Sequence, residues 1–248
     1  MVCARKTIQI VGPFSCGVAL RFALARLGAV LVPINFMKRH WNLYGQTEIA
    51  PLATMPGPDD QLRRPGSCGR AVLNVSTGVV DDAMRDVKPG SVGEIVHRSP
   101  QLLSGYFHDE ERTAAAFEGG WFHSGDLATI DDEGFITVVD RKKDMIKTGG
   151  ENVASREVEE AIYKLAGVSE VAVVGLPHPR WVEAVVAVVV RKPGAGLTED
   201  EVLAHCAQQL ASFKAPKRVV FAETLPKNPS GKLLKRGLRA AHEKLFAA

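Results

Sequence analysis

A chain of 248 residues, 46% hydrophobic and 24% charged, has the size and composition of one or two soluble globular domains with a buried core. Its formal net charge of +3 and the lack of a basic patch interleaved with aromatics give no case for nucleic-acid binding. The four cysteines, Cys3, Cys16, Cys68 and Cys206, stand apart with no CxxC pair, which argues against a metal or disulfide framework and suits a reducing cytoplasm.

Along the chain, Arg5 and Lys6 precede an uncharged stretch over residues 7–20 that mimics a secretory leader. Pro13 and Gly17 break it, Arg21 and Arg26 follow soon after, and no run reaches the roughly 20 apolar residues of a membrane span. The segment reads as folded: a short strand over 7–11, a helix capped by Ser15 with Val18, Phe22 and Ala25 inward, a stop at Gly28, and a buried strand over 29–35. Residues 12–17, between strand and helix, lie where a phosphate loop would. Val18 and Ala19 follow Gly17 in place of the required Lys-Ser/Thr, so the segment reads as a turn. From 56 to 139 the text is rich in Gly and Pro, with strands expected over 92–97, 127–130 and 135–139 and a hairpin turn over 131–134. Beyond Asp140 it becomes α+β. Ser155 is expected to cap a helix with Val158, Ala161, Ile162 and Leu165 inward, ending at Gly167. Strands are expected over 168–174 and 183–191, the second a near-continuous apolar run of the kind buried on both faces. Thr198 and Glu201 form a capping box for a helix through Leu210, followed by a strand over 217–222 and a terminal helix over 235–246.

Four motifs stand out in order: Tyr44-Gly45-Gln46-Thr47-Glu48; Gly120-Trp121-Phe122-His123-Ser124-Gly125-Asp126; the run from Asp140-Arg141-Lys142-Lys143 through Lys147-Thr148-Gly149-Gly150-Glu151-Asn152; and Asn228-Pro229-Ser230-Gly231-Lys232. In this order they resemble the second half of the adenylate-forming, AMP-binding enzymes, and within them the acyl-CoA synthetases. Residues 7–37 also resemble the start of that family's large domain. The Ser/Thr/Gly-rich loop whose lysine cradles the ATP phosphates in the family is missing, and the two matching regions meet near 37–42, as an internal deletion would leave them. The expected fold is therefore α/β and α+β. Residues 1–41 would be a fragment of the N-terminal adenylation domain, 42–139 its β-rich remainder, and 140–248 the C-terminal AMP-binding lid.

The resemblance implies roles residue by residue. Tyr44 would stack on adenine, Thr47 bond a phosphate oxygen, and Glu48 hold Mg2+, a hard cation suited to carboxylate oxygen. Asp126 would take the ribose hydroxyls and Arg141 a second ribose contact, with Asp140 as the hinge. Lys147, Gly149, Gly150 and Asn152 would serve the thioester step with CoA, and Lys232 would offset charge on the α-phosphate and acyl carboxylate. Lys142 and Lys143 read as a solvated charged face. The implied activity is ATP-dependent thioesterification of a carboxylic acid, of the fatty class, through an acyl-adenylate, impaired by the missing loop. The other reading is a non-catalytic remnant or interaction module. The implied partners are the acid, ATP and CoA, with neither nucleic acid nor a membrane span.

Overall fold

The computed structural model describes residues 42–229 and 231–246. The elements expected over 7–35, the turn over 12–17 and most of the junction near 37–42 lie outside that range.

The chain enters at the Tyr44 motif, whose Thr47–Ile49 stretch forms one 3-10 turn. A two-stranded ribbon follows, β1 (Thr54–Met55) paired with β2 (Arg70–Ala71), with the one-turn helix α1 (Asp60–Arg63) between them. Four strands then form an antiparallel meander: β3 (Ser76–Val80), β4 (Val92–Arg98), β5 (Phe122–Ile130) and β6 (Ile136–Arg141). Helix α2 (Glu110–Ala116) lies between β4 and β5, its first turn capped by the Asp109 carboxylate. The expected 131–134 turn is present: Gly134 N–H donates to the Asp131 carbonyl at 3.0 Å. The Asp131 carboxylate accepts from Glu133 and Phe135 N–H, the local bonding that makes aspartate a turn residue.

After Arg141 a short hairpin, β7 (Ile146–Thr148) and β8 (Glu151–Val153), leads to helix α3 (Ser155–Tyr163). Then come β9 (Val168–His178), β10 (Val182–Arg191), helix α4 (Glu199–Gln209), β11 (Arg218–Phe221) and helix α5 (Lys235–His242). Strand β10 runs antiparallel to β9 and parallel to β11. Its continuous apolar run has a simple cause. Val185, Ala187 and Val189 pack with Val158 and Ile162 of α3 and Val202 and Cys206 of α4, while Val186 and Val188 pack on the other face with Leu238 of α5. Both faces are covered, so no polar alternation is possible. The capping box forms as expected, with Thr198 Oγ1 accepting from Glu201 N–H and Glu201 Oε2 from Thr198 N–H.

One expected cap is corrected. Ser155 is the first residue of α3, not its cap, and the helix is capped by the Asp140 carboxylate. Asp140 Oδ2 accepts from Ser155 N–H at 2.5 Å, Ser155 Oγ at 2.7 Å and Arg156 N–H at 3.3 Å. A carboxylate there satisfies orphan donors and meets the positive end of the helix dipole, which a serine hydroxyl does less strongly.

The buried clusters divide near the same residue. Those around β10 draw on Ile146 and later residues, and those of the meander and ribbon draw on Val138 and earlier ones.

Candidate functional site

The site forms around Asp126, on β5 and 8% exposed. Strand register sets it directly across from Arg141 on β6, and Arg141 Nε lies 3.5 Å from Asp126 Oδ1. The other carboxylate oxygen is held from the Tyr44 motif, with Tyr44 OH donating to Oδ2 at 2.9 Å and Gln46 Nε2 at 2.7 Å. Gln46 also donates to the Ser124 carbonyl at 2.9 Å. Ser124 keeps a structural task, since its Oγ accepts from Asp126 N–H at 3.0 Å. Burial, and then the Asp126 carboxylate, push the Tyr44 phenol far above its ordinary range, so it remains a donor to Asp126. Three motifs thus meet at one carboxylate.

Beneath the turn lies a second carboxylate. Glu94 on β4, 8% exposed, accepts from Gly125 N–H at 3.1 Å, the residue just before Asp126. Its other oxygen meets His123 Nδ1 at 3.2 Å and Lys142 Nζ at 3.0 Å. Burial alone would raise the Glu94 pKa, but Lys142 and His123 outweigh it and hold the carboxyl below its ordinary range. Lys142 also pairs with Asp82 at 3.0 Å. Lys142 is exposed, as expected, and it also ties the segment after Arg141 back to the meander. Lys143 is exposed, as expected.

Glu48 accepts from Tyr106 OH at 3.2 Å, and its carbonyl accepts from Leu103 N–H at 2.8 Å. Thr47 is exposed beside it. Lys232 sits on a hairpin loop closed by Asn228 N–H to the Lys232 carbonyl at 2.9 Å and Lys232 N–H to Asn228 Oδ1 at 2.8 Å. Lys232 is exposed, and partial burial, and then the positive charge of Arg141, hold its ammonium below the ordinary lysine range.

Lys147, Gly149, Gly150 and Asn152 form a separate group on the β7–β8 hairpin. Lys147 and Asn152 are cross-strand partners. Gly149 and Gly150, with φ of 58° and 87°, supply the two left-handed positions of a two-residue turn. The hairpin is held by Gly149 N–H to the Trp181 carbonyl at 3.0 Å and Lys147 N–H to Glu183 Oε2 at 2.7 Å. Among the described residues no hydrogen bond or ion pair joins it to Asp126.

Sequence reasoning assigned no role to Gln46 or Glu94, read Lys142 only as a solvated face and gave Ser155 only the task of capping a helix. Gln46 lies inside a motif and was the one within reach. The other three act through partners distant in sequence and carry no local signal.

Two family models match the chain, the AMP-binding enzyme model over residues 35–107 and the AMP-binding enzyme C-terminal domain model over 157–232. The long-chain-fatty-acid–CoA ligase FadD13 of Mycobacterium tuberculosis is 43% identical over 197 residues, 79% of this chain and 39% of that protein. The indoleacetate–CoA ligase of Aromatoleum aromaticum is 42% identical over the same shares. Among solved structures, ATP-bound MatB from Rhodopseudomonas palustris superposes with a TM-score of 0.75 at 39% identity, over 82% of this chain and 41% of that one. The o-succinylbenzoate CoA synthetase of Bacillus subtilis, bound to its acyl-adenylate, gives 0.76 at 31% identity over 80% and 40%. The chain thus spans about 40% of the length of these relatives, and the two family matches together with the motif order place it in one group: it belongs to the AMP-binding enzymes.

Proposed function

We propose that this chain carries the nucleotide-gripping and catalytic-lysine portion of an ATP-dependent acyl-CoA ligase, in which a carboxylate attacks the α-phosphorus of ATP and CoA then displaces AMP from the acyl-adenylate. The observation that carries the reading is the convergence of Tyr44, Gln46 and Arg141 on the Asp126 carboxylate. A preorganised carboxylate with free acceptor capacity suits a vicinal diol such as ribose, and Arg141 supplies a second polar contact. Tyr44 offers a ring beside that grip for adenine. Lys232 is the cation for the charge that gathers on the α-phosphate and the acyl oxygen as pyrophosphate leaves.

Glu48 is the metal candidate. Among the described residues no group of three or more His, Cys, Asp or Glu could hold an ion. Magnesium takes one or two carboxylates plus substrate phosphates and water, so a lone Glu48 beside Thr47 fits an ion arriving with the nucleotide, where it would neutralise phosphate charge. The β7–β8 hairpin, with Lys147 and Asn152 flanking Gly149-Gly150, is the candidate contact for the pantetheine arm of CoA, and the acid is a small-molecule carboxylic acid of the fatty class, of whatever chain length.

The sequence lacks the phosphate-cradling loop, and losing such an anion clamp costs on the order of 10³-fold in rate. Adenylation is therefore slow while AMP binding persists. The test is an AMP titration, then pyrophosphate release with fatty acids, ATP and Mg2+. AMP binding lost in Asp126→Ala, with weak release lost in Lys232→Ala, is the expected pattern. A folded chain that binds no AMP would refute the reading.

A further inference from the structure

Gln46 stands in the middle of its motif, after Tyr44 at the Asp126 carboxylate and before Thr47 and Glu48. It enters the Thr47–Ile49 turn as an extended residue, with φ −138° and ψ 163°, and its side chain does not cap that turn. Only its main chain serves the turn, where Ile49 N–H donates to the Gln46 carbonyl at 3.1 Å. The side-chain amide is directed instead at the Ser124-Gly125-Asp126 turn, 78 to 80 positions away.

A glutamine amide has two N–H donors, and both are used there. Nε2 donates to Asp126 Oδ2 at 2.7 Å and to the Ser124 carbonyl at 2.9 Å, while Tyr44 OH lies farther off, at 3.5 Å. The opposite orientation would set the amide oxygen against a carboxylate and a carbonyl, so the network fixes which end is nitrogen. One side chain thus ties a backbone oxygen at the start of the turn to a side-chain oxygen at its end. Tyr44 cannot do this alone: a single hydroxyl on Oδ2 sets a distance and leaves the carboxylate free to rotate about that bond. With two donors the lone pairs of Oδ2 are filled. Oδ1, which Arg141 Nε faces at 3.5 Å, is the oxygen left to accept from a ligand.

We propose that Gln46 is a positioning residue that fixes the rotation of the Asp126 carboxylate and presents Oδ1 to the sugar of the nucleotide, so that Gln46 sets how strongly the site prefers ribose to deoxyribose. The inference rests on the reading of Asp126 as the ribose grip. It accounts for a donor spent on the Asp126 side chain when the backbone of the turn is already held, by Glu94 at Gly125 N–H and by Ser124 Oγ at Asp126 N–H. A residue that only supported the turn would not need the carboxylate.

The test is calorimetric titration of the full chain with AMP and with 2′,3′-dideoxy-AMP, which keeps the adenine and the phosphate and offers no sugar hydroxyl. The unaltered chain should prefer AMP by about tenfold or more, the worth of a hydrogen bond to a charged acceptor. Gln46→Leu keeps the bulk and removes both donors. It should bind AMP about tenfold more weakly and change dideoxy-AMP binding by less than about twofold, so that the preference nearly disappears. A cooperatively melting Gln46→Leu protein that keeps the full preference, or that loses affinity for both nucleotides alike, overturns the proposal and leaves the ribose grip standing. Equal affinity for the two nucleotides in the unaltered chain, or binding of neither, overturns the grip and the proposal together. Should Gln46→Leu fail to fold, Gln46→Ser, too short to reach Asp126, decides by the same criteria.

Discussion

His97 makes stability depend on pH in a window that few other groups share. It sits on β4 with no exposed surface, its Nδ1 3.0 Å from Thr77 Oγ1, and its Nε2 has no partner among the described residues. Burial pushes its pKa from the ordinary 6.5 down to about 4, because a charged imidazole there would lie in low dielectric with no carboxylate to meet it. The unfolded chain therefore takes up a proton below 6.5 that the folded chain refuses until about 4. Stability from this group is complete above the upper value, falls as pH drops through the window, and is level beneath it. The two values correspond to a loss of about 2 kcal/mol between about pH 8 and about pH 5, nearing 3 kcal/mol at about pH 4. In His97→Leu the titration is gone. Losing the Thr77 bond costs about 1 kcal/mol, offset in part by removing the unpaired Nε2. Urea unfolding at three pH values should show the variant equal to or slightly weaker than the parent at the high end and stronger at the low end. Glu94 contributes equally to both proteins, since its depressed pKa places its loss at lower pH. Parallel losses in parent and variant would refute the reasoning.

Other expectations are independent of that one. Val182 is β-branched, 73% exposed and held at φ 69°. A left-handed backbone costs an L-residue roughly 1–2 kcal/mol, less what glycine loses in chain entropy, so Val182→Gly should stabilise by about 1 kcal/mol; a lower melting temperature would count against it. Glu94→Gln keeps the shape but drops the charge that holds Lys142 and His123 behind the Asp126 turn. AMP should bind it about tenfold more weakly, near 1.4 kcal/mol, and an unchanged Kd in a folded variant removes Glu94 from the site. The segregated cores predict that residues 140–248 fold alone. A fragment starting at 141 lacks the α3 cap and should be less stable by about 1–2 kcal/mol. Equal melts would show that Asp140 does not stabilise the helix.

What the sequence disclosed and what it hid separate by the range of the interactions. The capping box at Thr198 and Glu201, the Asp131 turn and the apolar run of β10 are decided by neighbours within a few residues or by burial, so local text suffices. The β7–β8 hairpin gives no such signal, because three-residue strands are too short for a period to show. Ser155 was misread for a related reason: serine is a good cap in isolation, and nothing local reveals that a carboxylate fifteen positions upstream takes the place.

Lys142 makes the sharper case. Two adjacent lysines after a strand have the composition of a solvated face, and both are exposed. Lys142 differs only because Glu94, 48 positions away, is drawn beneath it by the meander. The Asp126 grip obeys the same physics. Its residue types are legible because the family resemblance implies ribose and phosphate contacts for them, but their meeting depends on register between β5 and β6 and on a tyrosine 82 positions upstream. Partners that must be buried together are chosen by the fold, and their charges remain ambiguous until the fold is known. For that reason the tie from Lys142 to Glu94, behind the Asp126 turn, is where a substitution should change the site without touching a ligand.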